Sequence, residues 1–149
     1  LLEEDINFKS ITIMVQKEVG ERICAAPGGK DYGALTVAVQ YRCIPHKVLI
    51  VPSESFIPQP EVESMVIRLD SREKPPVILK DEKMYFRVVK ASFGQRRKTL
   101  LNALAAGNLG KTKEELKDIL SRNKIDEKRR GETLSLEEFA GIANELSPS

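Results

Sequence analysis

The 149-residue chain is 41% hydrophobic and 31% charged, a balance that excludes a disordered protein and supplies one domain core or two small ones. No apolar run reaches the roughly 20 residues of a membrane span and no signal peptide is visible, so a cytoplasmic protein without a membrane partner is expected. The net charge of +2 hides an asymmetry: Arg87–Arg130 holds thirteen Lys/Arg against five Asp/Glu, a balance of +8, leaving −6 for the remainder.

The chain opens at Leu1-Leu2-Glu3-Glu4, without a methionine and with the pattern of a helix tail, and it reads as a piece of something longer. Ile11–Val15 is a β-branched run of strand length. Lys17–Ile23 reads as a short helix stopped by Pro27-Gly28-Gly29. Asp31 is a candidate N-cap for a helix over Tyr32–Arg42, although Thr36, Val37 and Val39 are stiff, mediocre helix formers. Val48–Val51 is a second strand between Pro45 and Pro52.

Next comes Phe56-Ile57-Pro58-Gln59-Pro60. Pro58 and Pro60 fix their own φ and bias the residues before them toward extended geometry, shaping a stiff, extended loop. It leads into a strand, Glu63–Leu69, with Met65, Ile67 and Leu69 on one face. Phe56 at the mouth of this loop can serve as a stacking platform, or it can cap a core.

Ser71–Pro76 is a charged, proline-terminated link and the expected domain boundary, dividing 1–72 from 73–149. Beyond it the period is helical. Asp81–Phe93 places Tyr85, Val88, Val89 and Phe93 on one side and turns Arg87 and Lys90 away. Gly94 ends this helix, and Gln95-Arg96-Arg97-Lys98 leads into another over Thr99–Ala105, ended by Gly107 and Gly110. Thr112-x-x-Glu115 and Ser135-x-x-Glu138 are capping boxes for two more helices, the second supported by a Leu134/Phe139 hydrophobic staple. The fold class expected is an α/β segment followed by a small all-α domain.

No phosphate-binding glycine loop, zinc-protease motif or nucleophile elbow is present, and no catalytic or metal-binding residue is assigned. His46 reads as a surface residue, and Cys24 and Cys43 as reduced thiols without metal spacing. The basic residues carry more. Gln95–Lys98 sits at a helix break, where side chains and the amide groups opening the next helix would point together at phosphate oxygens. Lys128-Arg129-Arg130 occupies the loop before the last helix. With Arg87, Arg96, Arg97 and Lys98, these form a candidate nucleic-acid surface. A helix-turn-helix over 112–146 is discounted, because its loop of about ten residues exceeds that motif's 3–4-residue turn.

Met14–Arg22, Asp31-Tyr32-Gly33-Ala34-Leu35, Phe56–Ser64 and Ala91–Leu100 follow one another in an order that closely resembles the C-terminal part of the bacterial 16S rRNA adenine dimethyltransferases, the KsgA type. The Phe-x-Pro-x-Pro-x-Val-x-Ser element is shared with erythromycin-resistance methylases, and Phe-Gly-Gln-Arg-Arg-Lys-Thr-Leu is narrower. The resemblance implies a Rossmann-like methyltransferase domain, here only its last strands and helices, followed by a helical rRNA-facing domain. It implies methyl transfer from S-adenosylmethionine to N6 of two adjacent adenosines of small-subunit rRNA in the immature 30S particle. It makes Phe56 the ring against which the target adenine stacks. The family's cofactor turn and Asn-Leu-Pro-Tyr motif belong upstream of Leu1, so the chain alone is expected to be inactive. Ile11–Val15 is expected to leave a sheet edge unpaired, open to self-association. The alternative is a non-catalytic RNA-binding module acting in ribosome assembly.

Overall fold

A computed structural model describes residues 8–148; the helix tail expected at Leu1–Glu4 lies outside them. Its elements are β1 (Ser10–Gln16), α1 (Lys17–Ile23), α2 (Ala34–Arg42), β2 (Cys43–Val51), β3 (Ser64–Ser71), α3 (Glu82–Gly94), α4 (Leu100–Ala106), α5 (Lys113–Arg122) and α6 (Leu136–Leu146). Among the described residues the architecture is α/β, with a small three-stranded sheet and six α-helices. None of these helices is long and apolar enough to cross a membrane.

The strand order is β1-β3-β2, with β3 antiparallel to both neighbours. Both outer strands therefore end at the edge of the sheet where β3 begins: Gln16 and Val51 each lie opposite Ser64. Alternation along β3 buries Met65, Ile67 and Leu69 against Ile23, Val39 and Cys43. On the opposite face Met14, Val66 and Leu49 form a row across the three strands, with Met14 and Leu49 both exposed. β1 is an edge strand among the described residues, as expected.

At two positions the structure departs from the sequence expectation. Pro45 does not bound β2 but lies inside it, opposite Leu69. Since β2 pairs only with β3 among the described residues, it is an edge strand, where a proline's missing N–H can face solvent. Nor does Asp31 cap α2; the helix starts later, with Gly33 as N-cap donating its N–H to Thr36 Oγ1 at 3.0 Å. Thr36 is buried and donates in turn to the Arg22 carbonyl. The β-branched residue that weakens the helix by propensity thus joins α2 to α1.

The larger core belongs to α3–α6. Tyr85, Val88 and Val89 face Leu100, Leu104, Leu116, Leu120, Phe139 and Ile142, all buried. Both capping boxes form, and the staple residues Leu134 and Phe139 are fully buried. Burying one such side chain is worth roughly 1.5–3 kcal/mol, against about 1 kcal/mol for a cap, so packing fixes these helices and the caps set where they start. Helix α2 contributes to both cores: Val39 to the sheet side, and Val37 and Tyr41 to the helical side. Tyr41 also stacks near Tyr85 at 5.6 Å between ring centroids. Its hydroxyl donates to Glu82 Oε1 at 2.8 Å, and burial followed by this carboxylate pushes its pKa up to about 12.

Candidate nucleic-acid interface

The loop between β2 and β3 leaves the sheet at the end where β1 and β2 finish. A single 3₁₀ turn, Ser53–Ser55, precedes Phe56, and the Ile57–Pro58 peptide is cis. The backbone bends at Phe56, Ile57 and Pro58, so the segment is not simply extended. Phe56 is half-buried, belongs to neither hydrophobic core and pairs with no other ring among the described residues. Next to it Ile57 is fully exposed. The far end of the loop is tied to α1: Lys17 donates its backbone N–H to the Glu63 carbonyl at 2.9 Å, and its ammonium lies 3.5 Å from the Glu63 carboxylate.

Helix α1 continues from that tie into an open groove of about 520 Å³. Glu18 and Arg22 line it with Lys30, Asp31, Arg96, Arg97, Arg130 and Glu132. Arg96 and Arg97 come from the break between α3 and α4, and Arg130 from the loop before α6. Arg96 and Arg97 of one basic cluster and Arg130 of the other, more than thirty residues apart in sequence, thus share one concave surface. Arg96 is held there by donating Nη2–H to the Lys30 carbonyl at 2.7 Å. Arg97, Lys98, Lys128 and Arg130 are exposed, and among the described residues their side chains make no hydrogen bond or ion pair. Lys30 and Arg22 lie outside the basic block of the sequence, and only folding brings them to the same groove.

Lys98 is not among the residues lining this groove, and Lys128 lines a separate one with Lys113 and Lys117. Arg87, the α4 amide groups and Arg129 are also placed or employed differently than expected. Arg87 is exposed on α3 and donates to the Asn108 carbonyl at 2.9 Å, lining a separate groove with Lys90 and Gln95. The amide groups opening α4 are not available to phosphate: Leu100 N–H donates to the Arg129 carbonyl at 2.6 Å and Leu101 N–H to the Glu127 carbonyl at 3.3 Å. Arg129 is half-buried, with Nη2 on Glu138 Oε1 at 3.1 Å, Nη1 also on Glu138, and Nε on Thr133 Oγ1 at 3.1 Å. The hydrogen bonds from Arg129, helped by the Ser135 N–H and by the Arg129 charge, hold the Glu138 carboxyl below the usual range against the opposing effect of burial.

The remaining chemistry is quiet. His46 is exposed and lies 3.0 Å from Asp70, which Arg68 also holds. Cys24 and Cys43 are free thiols whose pKa values burial raises, and no group of metal-ligating side chains occurs among the described residues.

Residues 1–144 match the family of ribosomal RNA adenine dimethylases. The chain belongs to that family. This dimethylase-family chain is 54% identical over 146 residues to ribosomal RNA small subunit methyltransferase A of Alkaliphilus oremlandii, covering 98% of the chain and 51% of the relative. To the protein of the same name from Clostridioides difficile it is 56% identical over 144 residues, covering 96% and 49%. The chain thus spans about half the length of the curated relatives it matches. Among solved structures it is similar in fold to a dimethyladenosine transferase from Plasmodium falciparum, with a TM-score of 0.79 at 23% identity over 95% of this chain and 58% of that one.

Proposed function

We propose that this chain is the RNA-facing part of an rRNA adenine dimethyltransferase, and that the whole protein transfers methyl groups from S-adenosylmethionine to N6 of two adjacent adenosines of small-subunit rRNA in the immature 30S particle. In this reading residues 1–72 are the last strands and helices of a Rossmann-like domain, and 73–149 form a helical domain turned toward the rRNA. The observation that carries it is the convergence of Arg96, Arg97 and Arg130 with Arg22 and Lys30 in one groove. Such a surface suits the regularly spaced phosphates of a nucleic acid, which position the ligand while other groups recognise it.

Phe56 supplies the recognition in this proposal. Its ring is partly open, and it stands at the end of the sheet where β1 and β2 finish. A target adenine taken out of its stack can lie against it, an interaction worth about 1–3 kcal/mol in comparable single-strand sites. Helix α1 joins this ring to the phosphate groove, since Lys17 holds the end of the Phe56 loop and Glu18 and Arg22 line the groove.

In this reading the described residues do not by themselves hold the methyl donor. β1 passes directly into α1 without a turn between Gln16 and Lys17, and the left-handed glycines, Gly28 and Gly110, lie in loops that follow helices. The proposal therefore assigns the donor site, and the groups that orient the adenine amino nitrogen, to the additional length that the curated relatives carry. The chain alone is inactive in this reading. Its open β1 edge, beside the apolar row of Met14, Val66 and Leu49, favours self-association.

A methyl-transfer assay on immature 30S particles tests the proposal, comparing this chain with a protein that also carries the additional length found in the relatives. Transfer by the longer protein alone is the expected result. Transfer by neither, with RNA binding retained by both, would favour the non-catalytic assembly module.

A further inference from the structure

Arg129 was expected to face phosphate, yet its guanidinium is turned inward. Of its five N–H donors, four are directed at Thr133 and Glu138: Nε to Thr133 Oγ1, Nη2 to the Thr133 carbonyl and to Glu138 Oε1, and Nη1 to Glu138. Its backbone is engaged as well, the N–H with the Asp126 carbonyl at 3.1 Å and the carbonyl with Leu100 N–H at 2.6 Å. Glu138 is the third residue of α6 and also accepts from Ser135 N–H at 3.1 Å. One residue therefore ties the loop 126–133 to the first turns of both α4 and α6.

Its sequence neighbours behave differently. Lys128 and Arg130 are exposed. Thr133, which Arg129 grips, donates its hydroxyl to the Arg130 carbonyl at 2.7 Å. Gly131 is buried with no room for a side chain: a Cβ there would meet the Ser92 carbonyl at 2.6 Å. The loop is thus seated against the end of α3, just ahead of Arg96 and Arg97. Resting on the functional reading above, we propose that Arg129 is a positioning residue that locks this loop, so that Arg130 shares one groove with Arg96 and Arg97. It does not itself bind RNA phosphate.

A direct phosphate contact and a positioning role predict different salt dependences. Losing a direct contact lowers the salt dependence of binding by about 0.7–0.9 in the log–log slope. Losing a positioning residue leaves the slope alone and adds the cost of ordering the loop on binding, roughly 0.5–1.5 kcal/mol per immobilised side chain, or about two- to twelvefold in affinity. Glu138 is the sharper probe. On charge alone, E138Q removes a negative group near the groove and strengthens RNA binding, whereas loss of the Arg129 anchor weakens it.

The experiment measures binding of the 149-residue chain and its variants to a labelled transcript of the small-subunit rRNA 3′ end across a salt series. R129M and E138Q are both expected to weaken binding by about two- to tenfold with an unchanged slope. S135A removes the α6 cap and keeps the Arg129–Glu138 pair, and is expected to lower thermal stability without weakening binding. A reduced slope in R129M, tighter binding by E138Q, or a loss in S135A equal to that in R129M would overturn the proposal. R96A/R97A separates the two levels of the argument. If that double variant binds as well as the parent, the groove reading fails and the positioning role with it. If it binds weakly while R129M does not, only the positioning role fails.

Discussion

Gly107 lies directly against Ala91 where α4 ends beside α3: a Cβ at position 107 would come within 2.3 Å of the Ala91 Cβ. The residue has an ordinary right-handed backbone, φ −80°, so close approach rather than conformation demands the glycine. Gly107→Ala must push α3 and α4 apart, at a cost typical of overpacking, about 1–3 kcal/mol. Chemical denaturation should show a lower midpoint with an unchanged slope.

Phe56→Ala, made in a protein that carries this chain with the additional length found in its relatives, should reduce methyl transfer by about 5- to 150-fold, the equivalent of a lost 1–3 kcal/mol stacking contact. S-adenosylmethionine affinity, read by calorimetry, should stay near that of the parent. The ring belongs to neither core, so the melting temperature should move little. Equal loss of turnover and cofactor affinity would remove the base-stacking role.

Replacing Arg96, Arg97 and Arg130 together by Ala should weaken RNA binding and lower its salt slope by about two to three, at 0.7–0.9 per phosphate contact. The same triple substitution should leave the fold intact, since these side chains are exposed and only Arg96 makes a hydrogen bond among the described residues. Salt titration of a fluorescent RNA complex checks both points.

Acid stability should depend on Glu138. Its folded-state pKa is depressed, first by the Arg129 hydrogen bonds. The pair therefore stabilises the fold fully above the ordinary carboxylate range, and the contribution is lost as pH falls through the lower folded value. Glu138→Gln should be destabilised near neutral pH and converge with the parent in acid. Part of the acid dependence should remain in the variant, because the Asp70 and Glu115 carboxyls are also held low by hydrogen bonds. Melting temperatures from pH 3 to 7 give the comparison.

Periodicity and caps alone located most of the elements. Lys17–Ile23 and Leu136–Leu146 appear where their patterns place them, and both capping boxes form, because these signals are local: a side chain and an amide three residues apart settle the start of a helix. The alternation of Met65, Ile67 and Leu69 likewise identifies the buried face of β3 without reference to any partner. Local signals failed at Pro45 and Asp31, where the outcome depended on which strand lay at the sheet edge and on a hydroxyl reaching across to another helix. The basic residues show the same division. Their number and block charge are properties of the chain. Folding decided that Arg22 and Lys30 join Arg96, Arg97 and Arg130 while Arg129 turns inward to Glu138, since adjacent loop residues point to opposite sides and only packed neighbours determine which side meets solvent.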